Sequence, residues 1–194
     1  MASLSALPSE LQKRLQNELK PGETLVWVDQ PIANRAARAG FVMWFFFIPW
    51  TGFSIFFTAG AAGFKAFDFG NANLYLVLFG LPFVLAGLAG LSTPIWLKRR
   101  AQSTVYAITN RRALSIEGTK SITVKTYLGT HIANIEKVEH RDGSGDLILR
   151  TDQYRDSEGD KQTLREGFTA VGDVRHVERL LDTLVRSSAA QTVR

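Results

Sequence analysis

The chain has 194 residues, a net charge of +5 and a mean hydropathy of -0.01, values typical of an ordinary globular protein. It contains no cysteine, which excludes disulfides, thiolate nucleophiles and cysteine-ligated metals and agrees with a reducing cytoplasmic location. The average hydropathy conceals an uneven distribution, because two long uncharged stretches lie between polar ends.

Residues 1–39 predict a short helix followed by a strand. Pro8 and Glu10 are typical of a helix start, and Pro21 with Gly22 ends the helix. Its apolar face consists of leucines, namely Leu4, Leu7, Leu11, Leu15 and Leu19. Acidic and basic residues mix on the polar face, which favours docking on the C-terminal domain, while binding to the membrane surface stays open. The β-rich residues 24–28 predict a strand.

Residues 40–64 and 74–97 carry no charged side chain and predict a transmembrane helical hairpin. Each stretch gives about 35 Å of helix, enough to cross a hydrocarbon core of about 30 Å. A buried helical pair in a soluble core rarely uses two such runs in succession. A signal peptide is disfavoured because the first apolar run begins only after 39 residues, although Ala59-Gly60-Ala61 resembles a cleavage site.

Basic residues flank the hairpin on its outer sides: Arg35, Arg38, Lys98, Arg99 and Arg100. The connector 65–73 holds only one cation and one anion, so the positive-inside rule predicts a multi-pass protein of the cytoplasmic (inner) membrane with both termini in the cytoplasm. The spans offer serine and threonine hydroxyls but no Asp, Glu, Lys, Arg or His, so we expect an anchor and not a transport pathway. Small residues in both spans leave homo-oligomerisation open.

After residue 98 the pattern predicts an α+β domain that extends to residue 188. The expected strands are residues 103–109, 113–117, 121–127, 132–140, 146–151 and 163–168. A helix capped by Asp173 follows, with apolar residues at three- and four-residue spacing that should cover an open sheet. The polar residues 152–161 predict a mobile loop, and residues 189–194 predict a disordered tail.

Several segments together resemble bacterial membrane proteins that carry a pleckstrin-homology-like (PH-like) domain. The most specific is residues 106–114, YAITNRRAL; others are residues 19–23 with Trp27, the turn at residues 143–147, and Phe168 with the terminal helix. The resemblance implies a PH-like partly open β-barrel, or two packed sheets, capped by the C-terminal helix. It also implies lipid or protein binding without catalysis. Specific phosphoinositide binding is not implied, because the clearest basic pair sits in a turn.

The candidate residues for binding a lipid or a partner are basic: Lys98, Arg99, Arg100, Arg111 and Arg112. They could form a patch beside anionic lipid. Alternatively, the first three only set topology, and one arginine of the turn pairs with a carboxylate of its own domain. We expect a non-enzymatic adaptor that binds a protein or lipid partner in a membrane complex. The alternative is a sensor of anionic lipid headgroups that acts without a protein partner.

The sequence contains few candidates for catalytic residues. His131, His140 and His176 fall in different predicted elements, and no pair has the spacing of a metal-ligand motif. The segment 142–146, DGSGD, lacks both the full calcium-loop pattern and the lysine of a phosphate loop, and is predicted to be a hairpin turn. We therefore expect no catalytic residue, metal, cofactor or nucleic-acid partner.

Overall fold

The structure is a computed structural model that describes residue 4 and residues 7–63, 74–118, 121–132, 134–155 and 161–192. The connector 65–73 and residues 156–160 of the expected loop lie outside these ranges. The chain divides into two compact units. One comprises Met1–Ala33 together with Arg99–Arg194, and the other is Asn34–Lys98.

The first unit is of mixed α+β class, as predicted. Its four-stranded antiparallel sheet has the order β1-β2-β3-β4, and its three-stranded antiparallel sheet has the order β5-β6-β7. The strands are β1 Leu25–Asp29, β2 Val105–Thr109, β3 Arg112–Glu117, β4 Thr123–Leu128, β5 Glu136–Glu139, β6 Gly145–Arg155 and β7 Lys161–Val171. In the described residues neither sheet closes into a barrel, so the two-sheet alternative is the arrangement observed.

Helix α6, Val174–Thr192, completes the main core. Val174, Val177, Leu181 and Leu184 pack with side chains of both sheets around the fully buried Phe168. Phe168 stacks on Tyr106 with ring centroids 4.5 Å apart. The helix continues through residues 189–192, where a disordered tail was expected, because Ala189 and Ala190 are strong helix formers that prolong the last turns. Residues 193 and 194 lie outside the described part.

The expected loop at residues 152–161 is shorter than the polar composition indicated. Strand β6 runs to Arg155 and β7 begins at Lys161, and their pairing continues to the Arg155–Lys161 pair. The ladder persists because an antiparallel pair can expose both faces to water at its end, so that no apolar pattern marks it.

Helix α1, Ser9–Glu18, docks on the four-stranded sheet, which was the favoured of the two predictions for this helix. Leu7 and Leu15 form a second core cluster with Val28, Val105 and Leu114. Leu15 is fully buried. Residues 1–33 therefore belong to the same folded unit as the C-terminal domain and do not form a separate segment.

The second unit contains helices α3, Trp44–Ala61, and α4, Leu74–Leu91, which pack against each other. Helix α2, Ala33–Phe41, begins in the first unit, and helix α5, Thr93–Gln102, ends in it. Both predicted spans are thus interrupted. In the second, Pro94 has no N–H to donate to the Gly90 carbonyl, and the Thr93 hydroxyl donates to that carbonyl instead, at 2.6 Å.

Helices α3 and α4 are long and apolar enough to cross a membrane. Each has 18 residues, about 27 Å of helix. Thr51 and Thr58 of α3 sit over Gly87 and Gly80 of α4, where an added Cβ would collide with the threonine hydroxyls. Trp50 Nε1 donates to the Phe83 carbonyl at 3.2 Å, so this tryptophan of α3 faces the partner helix.

Candidate functional site

The turn between β2 and β3 is built on a buried ion pair between Arg112 and Glu23. Arg112 Nε lies 2.8 Å from Glu23 Oε1, and Arg112 Nη2 lies 3.0 Å from Glu23 Oε2. This is a two-pronged guanidinium–carboxylate contact, the strongest common ion-pair geometry. Nη2 also donates to the Glu18 carbonyl at 2.7 Å, at the end of α1. The pair therefore joins the β2–β3 turn to the segment that follows α1.

Every remaining lone pair of this carboxylate has a donor nearby. The Thr109 hydroxyl donates to Glu23 Oε1 at 2.8 Å, and the Lys20 backbone N–H donates to Glu23 Oε2 at 2.9 Å. The Glu23 side chain is fully shielded from solvent, and that of Arg112 is 9% exposed. The hydrogen bonds from Arg112 lower the pKa of Glu23 to about 2, although desolvation opposes that shift. Glu23 is thus ionised throughout the ordinary pH range.

This geometry removes Arg112 from the candidate binding residues. Its guanidinium is turned inward and held by the carboxylate of its own domain, as the alternative interpretation of the arginine pair required. The motif NRR could not identify the buried partner, because Glu23 lies 89 residues earlier in the chain. Glu23 belongs to the PGE segment of residues 21–23, which was noted only as part of the family resemblance.

Arg111 lies on the same turn as Arg112, but its side chain is exposed. Its guanidinium passes beside Gly22, which has a positive φ of 75°. Asn110 fixes the turn to the N-terminal segment: Thr24 N–H donates to Asn110 Oδ1 at 3.0 Å, and Asn110 N–H donates to the Thr24 carbonyl at 3.0 Å. Arg111 is therefore an exposed cation on a rigid turn.

The three cations that follow the second span lie on α5 and are all exposed. Arg100 Nη2 pairs with Glu117 Oε2 at 2.8 Å, at the end of β3. Arg99 and Arg100 thus lie at the end of the β2–β3 hairpin where β2 begins, whereas Arg111 lies at its turn. Five strand residues separate the two positions, roughly 15 Å. The structure does not gather Arg99, Arg100 and Arg111 into one patch.

Segment 142–146 and the three histidines were the candidates for metal-binding or catalytic chemistry. Segment 142–146 forms the turn of the β5–β6 hairpin, as predicted. There the Ser144 hydroxyl donates to Asp142 Oδ1 at 2.7 Å, and Asp146 Oδ1 accepts from the Ala170 N–H at 2.7 Å. His131 ends a short 3₁₀ helix, Gly129–His131, while His140 precedes this turn and His176 lies in α6. Across the described residues, no three His, Cys, Asp or Glu side chains converge as a metal site would require.

Comparison with known proteins gives no relative from which a role can be transferred. No family model, no curated protein and no solved structure matches the chain.

Proposed function

We propose that the chain is a two-span protein of a bacterial inner membrane whose cytoplasmic PH-like domain acts as a non-enzymatic adaptor within a membrane complex. Support for the PH-like assignment comes from the strand arrangement: a four-stranded and a three-stranded antiparallel sheet pack around one core, and a C-terminal helix completes it. The YAITNRRAL segment that suggested the family forms β2, the turn and the first residues of β3.

Support for membrane insertion comes from the surface of the second unit. Only 11% and 17% of the most apolar windows of α3 and α4 are buried, whereas the core helix of a soluble protein is mostly buried. Large side chains such as Phe45, Phe53 and Leu85 are exposed on these helices. Such a surface is stable in hydrocarbon and costly in water. The flanking cations favour a topology with both termini in the cytoplasm.

The observation that carries the adaptor proposal is the way in which the hairpin is inserted into the domain. β1 and β2 are hydrogen-bonded neighbours, yet the whole of Asn34–Lys98 lies between them in sequence. The two connecting segments are tied together, because Gln30 Nε2 donates to the Gln102 carbonyl at 3.0 Å. A domain attached through two paired strands has less freedom than one on a single flexible linker, which suits a fixed docking platform.

Co-purification at native expression tests the adaptor proposal. The full chain, carrying a small C-terminal tag, is extracted in mild detergent and the proteins that elute with it are identified. The adaptor proposal predicts one partner at a fixed ratio to the chain, retained through a second, orthogonal column. A chain that elutes alone under conditions that preserve other membrane complexes would contradict it.

A second candidate, an anionic-lipid sensor, is favoured by the exposure of Lys98, Arg99, Arg100 and Arg111. Its test requires the full chain, because a fragment starting at residue 98 would lack β1 and α1. In nanodiscs, exchanging phosphatidylcholine for phosphatidylglycerol should slow backbone hydrogen exchange near residues 99–102, and added salt should reverse the effect. The Arg111→Ala variant in the same assay tests whether the β2–β3 turn contributes to lipid binding. Equal exchange in both lipids would refute this candidate.

A further inference from the structure

A cavity of about 350 Å³ opens between the two sheets of the first unit. It is lined by Thr126 and Tyr127 of β4, His131 and Ile132 at the 3₁₀ helix, and Leu149 and Arg150 of β6. These residues took no part in the site described above. Its volume falls within the range of small-molecule pockets.

The strand pairing explains why the cavity exists. β4 is the last strand of its sheet, and β5 pairs with β6 only from Gly145 to Ile148. From Leu149 onward, no strand in the described residues occupies the side of β6 opposite β7. The gap between β4 and the second half of β6 therefore exists because β5 is short. It lies within an otherwise well-packed domain.

The cavity wall holds a buried polar group that lacks a partner. Tyr127 is 4% exposed, and its hydroxyl has no hydrogen-bond partner in the described structure. Its ring is fixed by an edge contact with Phe168, with centroids 6.3 Å apart. Burial raises the pKa of Tyr127 above its ordinary value, so the hydroxyl remains protonated. Because the hydroxyl has almost no accessible surface, a ligand in the cavity does not reach this oxygen, and Tyr127 serves as a control position.

The other lining groups indicate the chemistry of the ligand. Arg150 is exposed, and the Asp152 carboxylate contacts its Nε at 2.7 Å. A guanidinium carries five N–H donors, so a second oxyanion can still bind. His131 and Thr126 add donors, whereas Ile132 and Leu149 supply apolar surface. Among the residues that the structure describes, no carboxylate lines the cavity. The nearby Glu166 is itself paired with Lys125 at 2.8 Å.

We propose that this cavity binds a small anionic ligand, a carboxylate or phosphate attached to a compact apolar group, with Arg150 holding the oxyanion. The proposal does not depend on whether the chain is an adaptor or a lipid sensor. A soluble acid and a lipid headgroup could both present this chemistry, and the experiment separates them.

The test uses the full chain in phosphatidylcholine nanodiscs, with the isoleucine δ1 methyl groups labelled for NMR. Benzoate and phenyl phosphate are titrated, with inorganic phosphate as the probe that lacks an apolar group. The proposal predicts a saturable shift of the Ile132 methyl signal, no shift at the fully buried Ile116, and weaker binding of inorganic phosphate. If only a change to phosphatidylglycerol shifts Ile132, a headgroup is the source of the oxyanion.

Three variants decide the residue roles. Tyr127→Phe should leave binding unchanged and the unliganded domain at least as stable, because the hydroxyl that it removes is unsatisfied and has almost no accessible surface. Arg150→Gln should weaken binding by at least about 10-fold. Arg141→Gln removes a different exposed cation and should change nothing. No saturable shift with any probe, or equal losses in Arg141→Gln and Arg150→Gln, would overturn the proposal.

Discussion

Replacing Arg112 with alanine should destabilise the β2–β3 turn far more than the same replacement at Arg111. The first change breaks two hydrogen bonds to Glu23 and one to the Glu18 carbonyl. It leaves a fully shielded carboxylate without its counter-charge. Removing one partner of a buried ion pair typically costs about 3–5 kcal/mol. Arg111 is exposed, so its loss should cost at most about 0.5 kcal/mol.

The lowered pKa of Glu23 reflects the same contact with Arg112, seen from the carboxylate. Its displacement from 4.5 to about 2 corresponds to about 3 kcal/mol of preferential stabilisation of the ionised carboxylate in the folded state. Both figures exceed the usual contribution of an exposed ion pair, about 0–1 kcal/mol.

Hydrogen exchange of the full chain in detergent micelles measures the effect. Amides of β2 and β3 should exchange roughly 10²- to 10³-fold faster in Arg112→Ala than in the unmodified chain, and within about threefold of it in Arg111→Ala. Adding Glu23→Gln to Arg112→Ala should recover part of the loss, because the amide oxygen can still accept from the Lys20 N–H and no unpaired charge remains. Equal exchange in Arg112→Ala and Arg111→Ala would refute the reasoning.

Three further outcomes are expected. The stability advantage of the unmodified chain over Glu23→Gln should be complete above pH 4.5 and fade as pH falls towards 2, since Glu23 has a lowered folded-state pKa; urea titrations at several pH values check this. Leu15→Ala should cost about 2–5 kcal/mol and expose α1 to limited proteolysis, whereas intact protection would contradict its docking. Gly87→Leu should disrupt α3–α4 packing against Thr51, lowering the melting temperature in micelles, while Gly52→Ala, which meets nothing within 4 Å, should not.

Sequence patterns predicted the elements whose burial is one-sided and periodic. The terminal helix, the strands of the YAITNRRAL hairpin and the docking of α1 follow from apolar residues at helical or alternating spacing. Helix α2 was missed because Ala33–Phe41 follows a proline and has a short, weakly apolar face. The strand pairing at residues 152–155 was missed because the polar sequence there has no alternation of apolar residues.

The candidate site was only partly accessible from sequence. A basic turn is visible in NRR, but sequence does not show which arginine points inward. That choice depends on Glu23, which the fold brings across from the N-terminal segment. The cavity had no sequence signal, because Tyr127 and Arg150 lie 23 positions apart on strands of different sheets. Spacing rules describe neighbours along one element, and these sites form between elements.

The proposal that a cytoplasmic domain is anchored by a hairpin is tested most directly by labelling single cysteines. The chain contains no natural cysteine, so Asn71→Cys in the connector and Arg141→Cys in the exposed β5–β6 turn each give one reactive position without further engineering. A membrane-impermeant maleimide is applied to spheroplasts before and after permeabilisation. We predict that Asn71→Cys labels in intact spheroplasts and that Arg141→Cys labels only after permeabilisation. Labelling of Arg141→Cys in intact spheroplasts would contradict the proposed topology.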